Sequence, residues 1–252
     1  MKKTYPYRFF LLVLLPFFLG ACKSASSQIA LSNYQLMTVD QSYVQDSIVE
    51  ATIAPYRMQL SESMDQIIGN ASMRLTEREV ESLLGNFVAD AILEQSRLRY
   101  QGDIDLSVIN NGGLRAPIPE GPVTVASIYE LMPFENILYI VQMDGSQTQQ
   151  LFNKLARDKR LAVSNSVVVI REDKPIKIFI DGGPFKSDQT YVLAVSDYLA
   201  NGGGGMEFLK QAKVLEKIDI KIRDLIIDQI KLMESNGVSI KAEIEGRVKQ
   251  VP

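Results

Sequence analysis

The sequence predicts an α+β fold, with helices packed on a mixed, partly antiparallel sheet. Three observations lead there. Helical patterns with one apolar face alternate along the chain with short runs rich in β-branched and aromatic residues. The closing runs read as partly antiparallel rather than as a doubly wound parallel sheet. After Tyr34 no second composition shift, Pro/Ser-rich linker or internal repeat breaks the chain, so residues 34–252 read as one domain.

The amino terminus is read separately. Lys2, Lys3 and Arg8 precede an apolar run at 9–19 that is too short to span a bilayer as a helix and ends in Leu19-Gly20-Ala21-Cys22. Residues 1–21 therefore read as a secretion signal. The four residues also resemble a bacterial lipobox, which implies cleavage before Cys22 and acylation of its sulfur and new amino terminus. The other reading is an ordinary signal peptide followed by an incidental Cys. Residues 22–33, with Ser24, Ser26, Ser27 and Ser32, read as a short tether. The expected location is the cell envelope, lipid-anchored to a bacterial membrane and facing the periplasm.

A helix is predicted at 44–63, kinked at Pro55 because proline removes a backbone donor. Thr76 and Glu79 have capping-box spacing. Val80, Leu83, Leu84, Phe87, Val88, Ala91 and Ile92 then recur on one helical face. Residues 104–109 alternate as a strand and run into Asn110-Asn111-Gly112-Gly113-Leu114-Arg115. Further strands are predicted at 137–143, 167–170, 176–180 and 191–195, where β-branched and aromatic residues concentrate. Helices are predicted at 146–158 and 223–234, the latter burying Leu225, Ile226, Ile230 and Met233.

Composition excludes several chemistries. The 252 residues contain no His, no Trp and one Cys. Without imidazole there is no Ser-His-Asp or Cys-His nucleophile system and no His-bearing zinc site. Removing residues 1–21 leaves 24 basic against 30 acidic side chains. A mildly acidic chain lacks the basic excess that nucleic-acid phosphates require.

Three segments stand out for binding. In 110–115 a strand leads to two glycines and a guanidinium, which suits an anionic ligand and equally suits a tight turn followed by a solvated Arg. Pro133-Phe134-Glu135-Asn136 lies between a short helix and a strand, where Phe134 serves either as a stacking platform or as core. Asp197-Tyr198-Leu199-Ala200-Asn201 precedes four glycines, 202–205, whose ordering is entropically costly and so points to a purpose beyond stability. It is neither a P-loop nor a dinucleotide fingerprint. Asp103 and Asp105 read as a solvated strand start rather than a Mg²⁺ site, and the Lys and Glu residues at 210–217 as a polar surface.

Asn-x-Gly-Gly-x-Arg at 110–115, Leu-x-Pro-Phe at 131–134 and Tyr-Leu-Ala-Asn-Gly-Gly at 198–203 together resemble the carboxy-terminal domain of the 5'-nucleotidase family. So does the helix carrying Arg78, Glu81, Gly85, Asn86 and Asp90. The resemblance runs from about residue 34 to 251. It implies that Phe134 and Tyr198 clamp a base, that Asn110 contacts it, and that Arg78 and Arg115 reach the phosphate side. Gly204 stands where the family usually has an Asp that grips the ribose hydroxyls. Complete members also carry an amino-terminal metallophosphoesterase domain whose two metals are held by Asp, Asn and His.

The expectation is thus a recognition half of a split 5'-nucleotidase in nucleotide catabolism, with no catalytic residue, metal or cofactor in this chain. Divalent metals belong to a hypothetical separate metallophosphoesterase chain. A solitary nucleoside-binding lipoprotein, or a degenerate scaffold without ligand, are the alternatives.

Overall fold

The computed structural model of the protein describes residues 46–252 apart from Glu79. The signal at 1–21, Cys22, the tether at 22–33 and the start of the helix expected at 44–63 lie outside the described residues. The chain divides between Glu50 and Ala51. Of the first unit, residues 46–50 are described. There the Asp46 carboxylate accepts from the amides of Ile48 and Val49 at 2.8 and 3.2 Å, capping the start of a helix. That helix, α1 (Ser47–Met64), passes Pro55 without ending and buries none of its side chains.

The second unit continues with β1 (Ile67–Ala71), α2 (Leu83–Arg97), β2 (Leu106–Asn110), β3 (Gly121–Thr124), α3 (Val125–Leu131), β4 (Ile137–Met143) and α4 (Gly145–Asp158). There follow β5 (Leu161–Ser164), β6 (Ser166–Arg171), β7 (Lys174–Ile180), β8 (Gly183–Pro184), β9 (Tyr191–Ser196), the one-turn α5 (Asp197–Ala200), β10 (Lys213–Lys221), α6 (Ile222–Ser235) and β11 (Val248–Gln250).

A five-stranded sheet of order β10-β4-β9-β2-β5 forms the middle layer. Period-two alternation splits its side chains between two cores. Leu138 and Ile140 of β4 face one core, with Leu84, Val88 and Ile92 of α2 and Leu225, Ile226 and Ile230 of α6. Val141 and Met143 face the other, with Leu151, Phe152 and Leu155 of α4. The second core also takes Val168, Ile170 and Ile180 from the four-stranded sheet β11-β6-β7-β8. The fold is the expected one, helices packed on mixed sheets.

The start of α2 differs from expectation. Val80 has φ +74°, which a β-branched residue adopts only under constraint and which no α-helix contains. The helix begins three residues later, where Ser82 Oγ accepts from the Gly85 amide at 3.0 Å. Glu79 lies outside the described residues. Asp105 also does more than solvate a strand end. Its Oδ2 accepts from the Val192 amide at 2.6 Å, and its own amide donates to Val192 O at 3.0 Å, fastening β2 to β9.

β2 and β9 are parallel, with Leu106 opposite Leu193 and Ser107 opposite Ala194. Their carboxyl ends therefore emerge together, and this register puts Asn110 level with Asp197. β4 is antiparallel to β9 and pairs Leu138 with Ser196, so the segment entering β4 lies at the same end. Three glycine- or proline-marked loops, far apart in sequence, meet there.

Candidate functional site

Each loop at this end is built by local rules. Ser196 Oγ accepts from the Leu199 amide at 3.3 Å and so caps the single turn of α5. Asp197 Oδ1 accepts from its neighbour's amide, Tyr198 N, at 2.7 Å and from Asn136 Nδ2 at 2.9 Å. The second bond ties the Phe134 segment to the Tyr198 segment directly. The chain then turns through Gly202 and Gly204, with φ of +89° and +62°. The Tyr198 hydroxyl accepts from the Gly204 amide at 2.9 Å. A Cβ on Gly203 would lie 2.5 Å from the Tyr198 ring, so glycine there lets the ring lie flat on the loop.

The loop after β2 folds under its own Asn110, whose carboxamide lies 3.4–3.5 Å from where Cβ atoms on Gly112 and Gly113 would be. Arg115 is exposed. Its amide donates to Leu131 O at 2.7 Å, which joins this loop to the end of α3 just before Pro133. Arg78 is exposed as well, and its carbonyl accepts from Asn111 Nδ2 at 3.4 Å. Asn111 is buried, and its Oδ1 has no partner among the described residues. Asn111, which no sequence motif marks as a contact residue, connects the Arg78 segment to the strand-end loops.

The six residues singled out for ligand contact, Arg78, Asn110, Arg115, Phe134, Tyr198 and Gly204, thus lie on segments linked by hydrogen bonds or strand register. Phe134 and Tyr198 are 42% and 48% exposed in a protein whose other aromatic side chains include the fully buried Phe152. Next to Phe134 in the chain, Glu135 is held by Lys221 and, at 2.7 Å, by Arg223, and these two cations keep its carboxyl down at about 2.

The helix residues of the same motif set do something else. Glu81 Oε1 accepts from the amides of Glu245 and Gly246 at 2.9 and 3.2 Å and from Asn86 Nδ2 at 2.8 Å. Asn86 Nδ2 also reaches Glu243 O at 2.9 Å, and Asp90 binds Arg247 through two 2.7 Å bonds. A Cβ on Gly85 would lie 2.7 Å from Ala162 Cβ, so α2 approaches β5 closely there. These residues fasten the carboxy-terminal tail to α2. Two grooves of about 400 and 410 Å³ flank the Asp90–Arg247 pair, whereas Arg115 lines a shallower one of about 200 Å³ with Thr76, Glu77 and Leu114. Neither Phe134 nor Tyr198 lines any of these grooves.

Among the described residues no group of three or more Cys, Asp or Glu is arranged to hold a metal ion. A dinuclear metal centre finds no fitting donor set there.

Residues 62–211, well over half the chain, match the family described as 5'-nucleotidase, C-terminal domain. A snake venom 5'-nucleotidase from Macrovipera lebetinus is 26% identical over 238 residues, covering 81% of this chain and 57% of that protein. The crystal structure of a 5'-nucleotidase precursor from Thermus thermophilus is similar with a TM-score of 0.70 and 25% identity, covering 81% of this chain and 43% of that one. A sulfate thiohydrolase from the same organism shares the fold at a TM-score of 0.62 and 14% identity, over 81% of this chain and 38% of its own. The chain spans about half the length of the first two.

Proposed function

The chain belongs to the 5'-nucleotidase C-terminal domain family, and from that membership we propose that it is the nucleotide- or nucleoside-recognition half of a split 5'-nucleotidase in nucleotide catabolism. The observation that carries the reading is the meeting of three motif loops at one end of the sheet, with Phe134 and Tyr198 left exposed on segments joined through Asn136 and Asp197. Exposed rings on rigid supports are what base stacking uses, at roughly 1–3 kcal/mol per base. In this reading Asn110 contacts the base. Arg78 and Arg115 receive the phosphate side, since neither pairs with a carboxylate among the described residues and a guanidinium binds phosphate oxygens in pairs. Gly204 offers the ribose only backbone.

Hydrolysis of the phosphoester then falls to a separate metallophosphoesterase chain that supplies the divalent metals and the activated water. Acylated Cys22 holds this chain on a bacterial membrane, facing the periplasm. The second reading is a solitary nucleoside-binding lipoprotein that works without such a partner. A scaffold that has lost its ligand is consistent with Gly204, and the fold itself serves more than one chemistry.

Calorimetric titration with AMP and adenosine, run on the chain alone, separates these readings when joined to a pull-down from the native envelope. Nucleotide binding plus capture of a metallophosphoesterase is expected. Binding without that partner favours the solitary binder, and absence of binding refutes recognition altogether.

A further inference from the structure

Arg223 is 2% exposed, the second residue of α6, and a costly side chain to bury. Its guanidinium lies 3.9 Å from the centroid of the Tyr129 ring on α3. Nη1 reaches Met132 O at 3.5 Å and Nη2 reaches Glu135 Oε1 at 2.7 Å, while Nε has no hydrogen-bond acceptor and only a loose ion pair with the neighbouring Asp224 at 3.8 Å. A buried charge with a donor left over contributes little to stability alone, because an apolar residue of similar volume packs there without desolvating an ion. Three of its four partners, Tyr129, Met132 and Glu135, lie within residues 129–135, the segment whose tip is Phe134.

The rest of that segment is equally restrained. Leu131 O accepts from the Arg115 amide at 2.7 Å, and Asn136 O accepts from the Ile222 amide at 2.8 Å. Asn136 Nδ2 is committed to Asp197 at 2.9 Å. Pro133 and Phe134 are left as the free tip of a loop gripped on both sides, with Pro133 limiting the backbone further.

We propose that Arg223, acting through Glu135, is the positioning residue that sets Phe134 in place to meet the ligand's base before the ligand arrives. The inference rests on the nucleotide-recognition reading above. Preorganisation matters because a ring fixed before binding gives up no rotamer or loop entropy on binding. Arg suits the role where Lys does not, since its planar fork serves Glu135 and the Met132 carbonyl while its face stacks on Tyr129.

The chain contains no Trp, so Phe134→Trp places a single indole fluorophore at the tip. In that background Glu135→Gln, which keeps an oxygen to accept from Arg223 Nη2 but removes its counter-charge, is expected to lower the anisotropy of the indole emission and to lower the melting temperature, with the far-UV circular dichroism at the assay temperature unchanged. Arg223→Lys, which keeps charge but not the fork, is expected to lower anisotropy as well. With Phe134 present, Glu135→Gln is expected to weaken AMP binding about 3- to 10-fold. In a Phe134→Ala background the same change should cost less than about twofold, as for coupled neighbours.

Unchanged anisotropy in Glu135→Gln overturns the inference, as does an equal loss of AMP affinity with and without the Phe134 ring. If Phe134→Ala alone leaves AMP binding intact, the nucleotide reading itself fails, which is a separate result.

Discussion

Replacing Tyr198 separates two contributions made by one side chain. Its hydroxyl accepts from the Gly204 amide at 2.9 Å and fastens the glycine turn, while its ring, 48% exposed, lies over Gly203 and is the face that the proposed recognition assigns to the base. Tyr198→Phe keeps the face and removes the fastening. The Gly204 amide is at the surface, where water replaces the lost acceptor, so the cost is about 0.5–1 kcal/mol, or roughly two- to fivefold in affinity. Tyr198→Ala removes the stacking face too, worth roughly 1–3 kcal/mol, so affinity for AMP is expected to fall tenfold or more in total. Neither change should unfold a ring position that is already half exposed. The assay is calorimetric titration of AMP at one fixed salt concentration, with thermal melts of each variant. Wild-type affinity in Tyr198→Ala refutes the clamp. Equal losses in the Phe and Ala variants refute stacking, because the hydroxyl alone then carries the effect.

Gly204→Asp is expected to fold, since Asp tolerates φ near +62° and its Cβ meets the end of the Leu199 side chain at 3.3 Å and the Tyr198 ring at an ordinary 3.9 Å. It should favour AMP over the 2',3'-dideoxy analogue by about 3- to 10-fold through charge-assisted bonds to the ribose hydroxyls, and equal titration curves for the two ligands contradict this. Arg247→Met should cost about 1–3 kcal/mol of stability, the lower end because Asp90 is 38% exposed and screened, and should leave AMP affinity within about twofold. Urea melts with parallel titrations check it; a tenfold affinity loss without a stability loss contradicts it. Burial and then the neighbouring Asp90 raise the Glu94 carboxyl above its ordinary range. A carboxyl raised on folding binds its proton more tightly in the folded state, so its contribution is present at low pH and lost as pH rises through the raised value. Relative to Glu94→Gln, the wild type should therefore gain stability as pH falls from neutrality toward the ordinary carboxylate range in urea melts, and a relative loss contradicts the assignment.

Sequence pattern located the elements whose signal is local. Residues 137–143 form β4 with the bounds expected from their β-branched run, and the stripe Leu225, Ile226 and Ile230 is buried along α6. The start of α2 misled because Thr76 and Glu79 imitate a capping box, whereas the positive φ of Val80 is set by tertiary packing that no local spacing records. Short strands such as β1, β5 and β11 carry too few residues to display a period. At the site, the glycine-rich loops were legible because they punctuate strand ends. Their convergence was not, for it depends on the parallel register of β2 and β9 and on the Asn136–Asp197 bond across 61 residues. Arg223 was invisible for a similar reason. A charged residue opening an amphipathic helix reads as solvent-facing until Tyr129, from a helix far earlier in the chain, is found beneath it.

We propose that this chain recognises a nucleotide and leaves the chemistry to another chain. It is tested most directly by following AMP and released phosphate together in one sample of the purified chain with Mn²⁺ or Zn²⁺ present. Saturable binding of AMP that a chelator does not alter is expected, with phosphate release no faster than in buffer. Release of phosphate at an enzyme's rate without any other chain contradicts it.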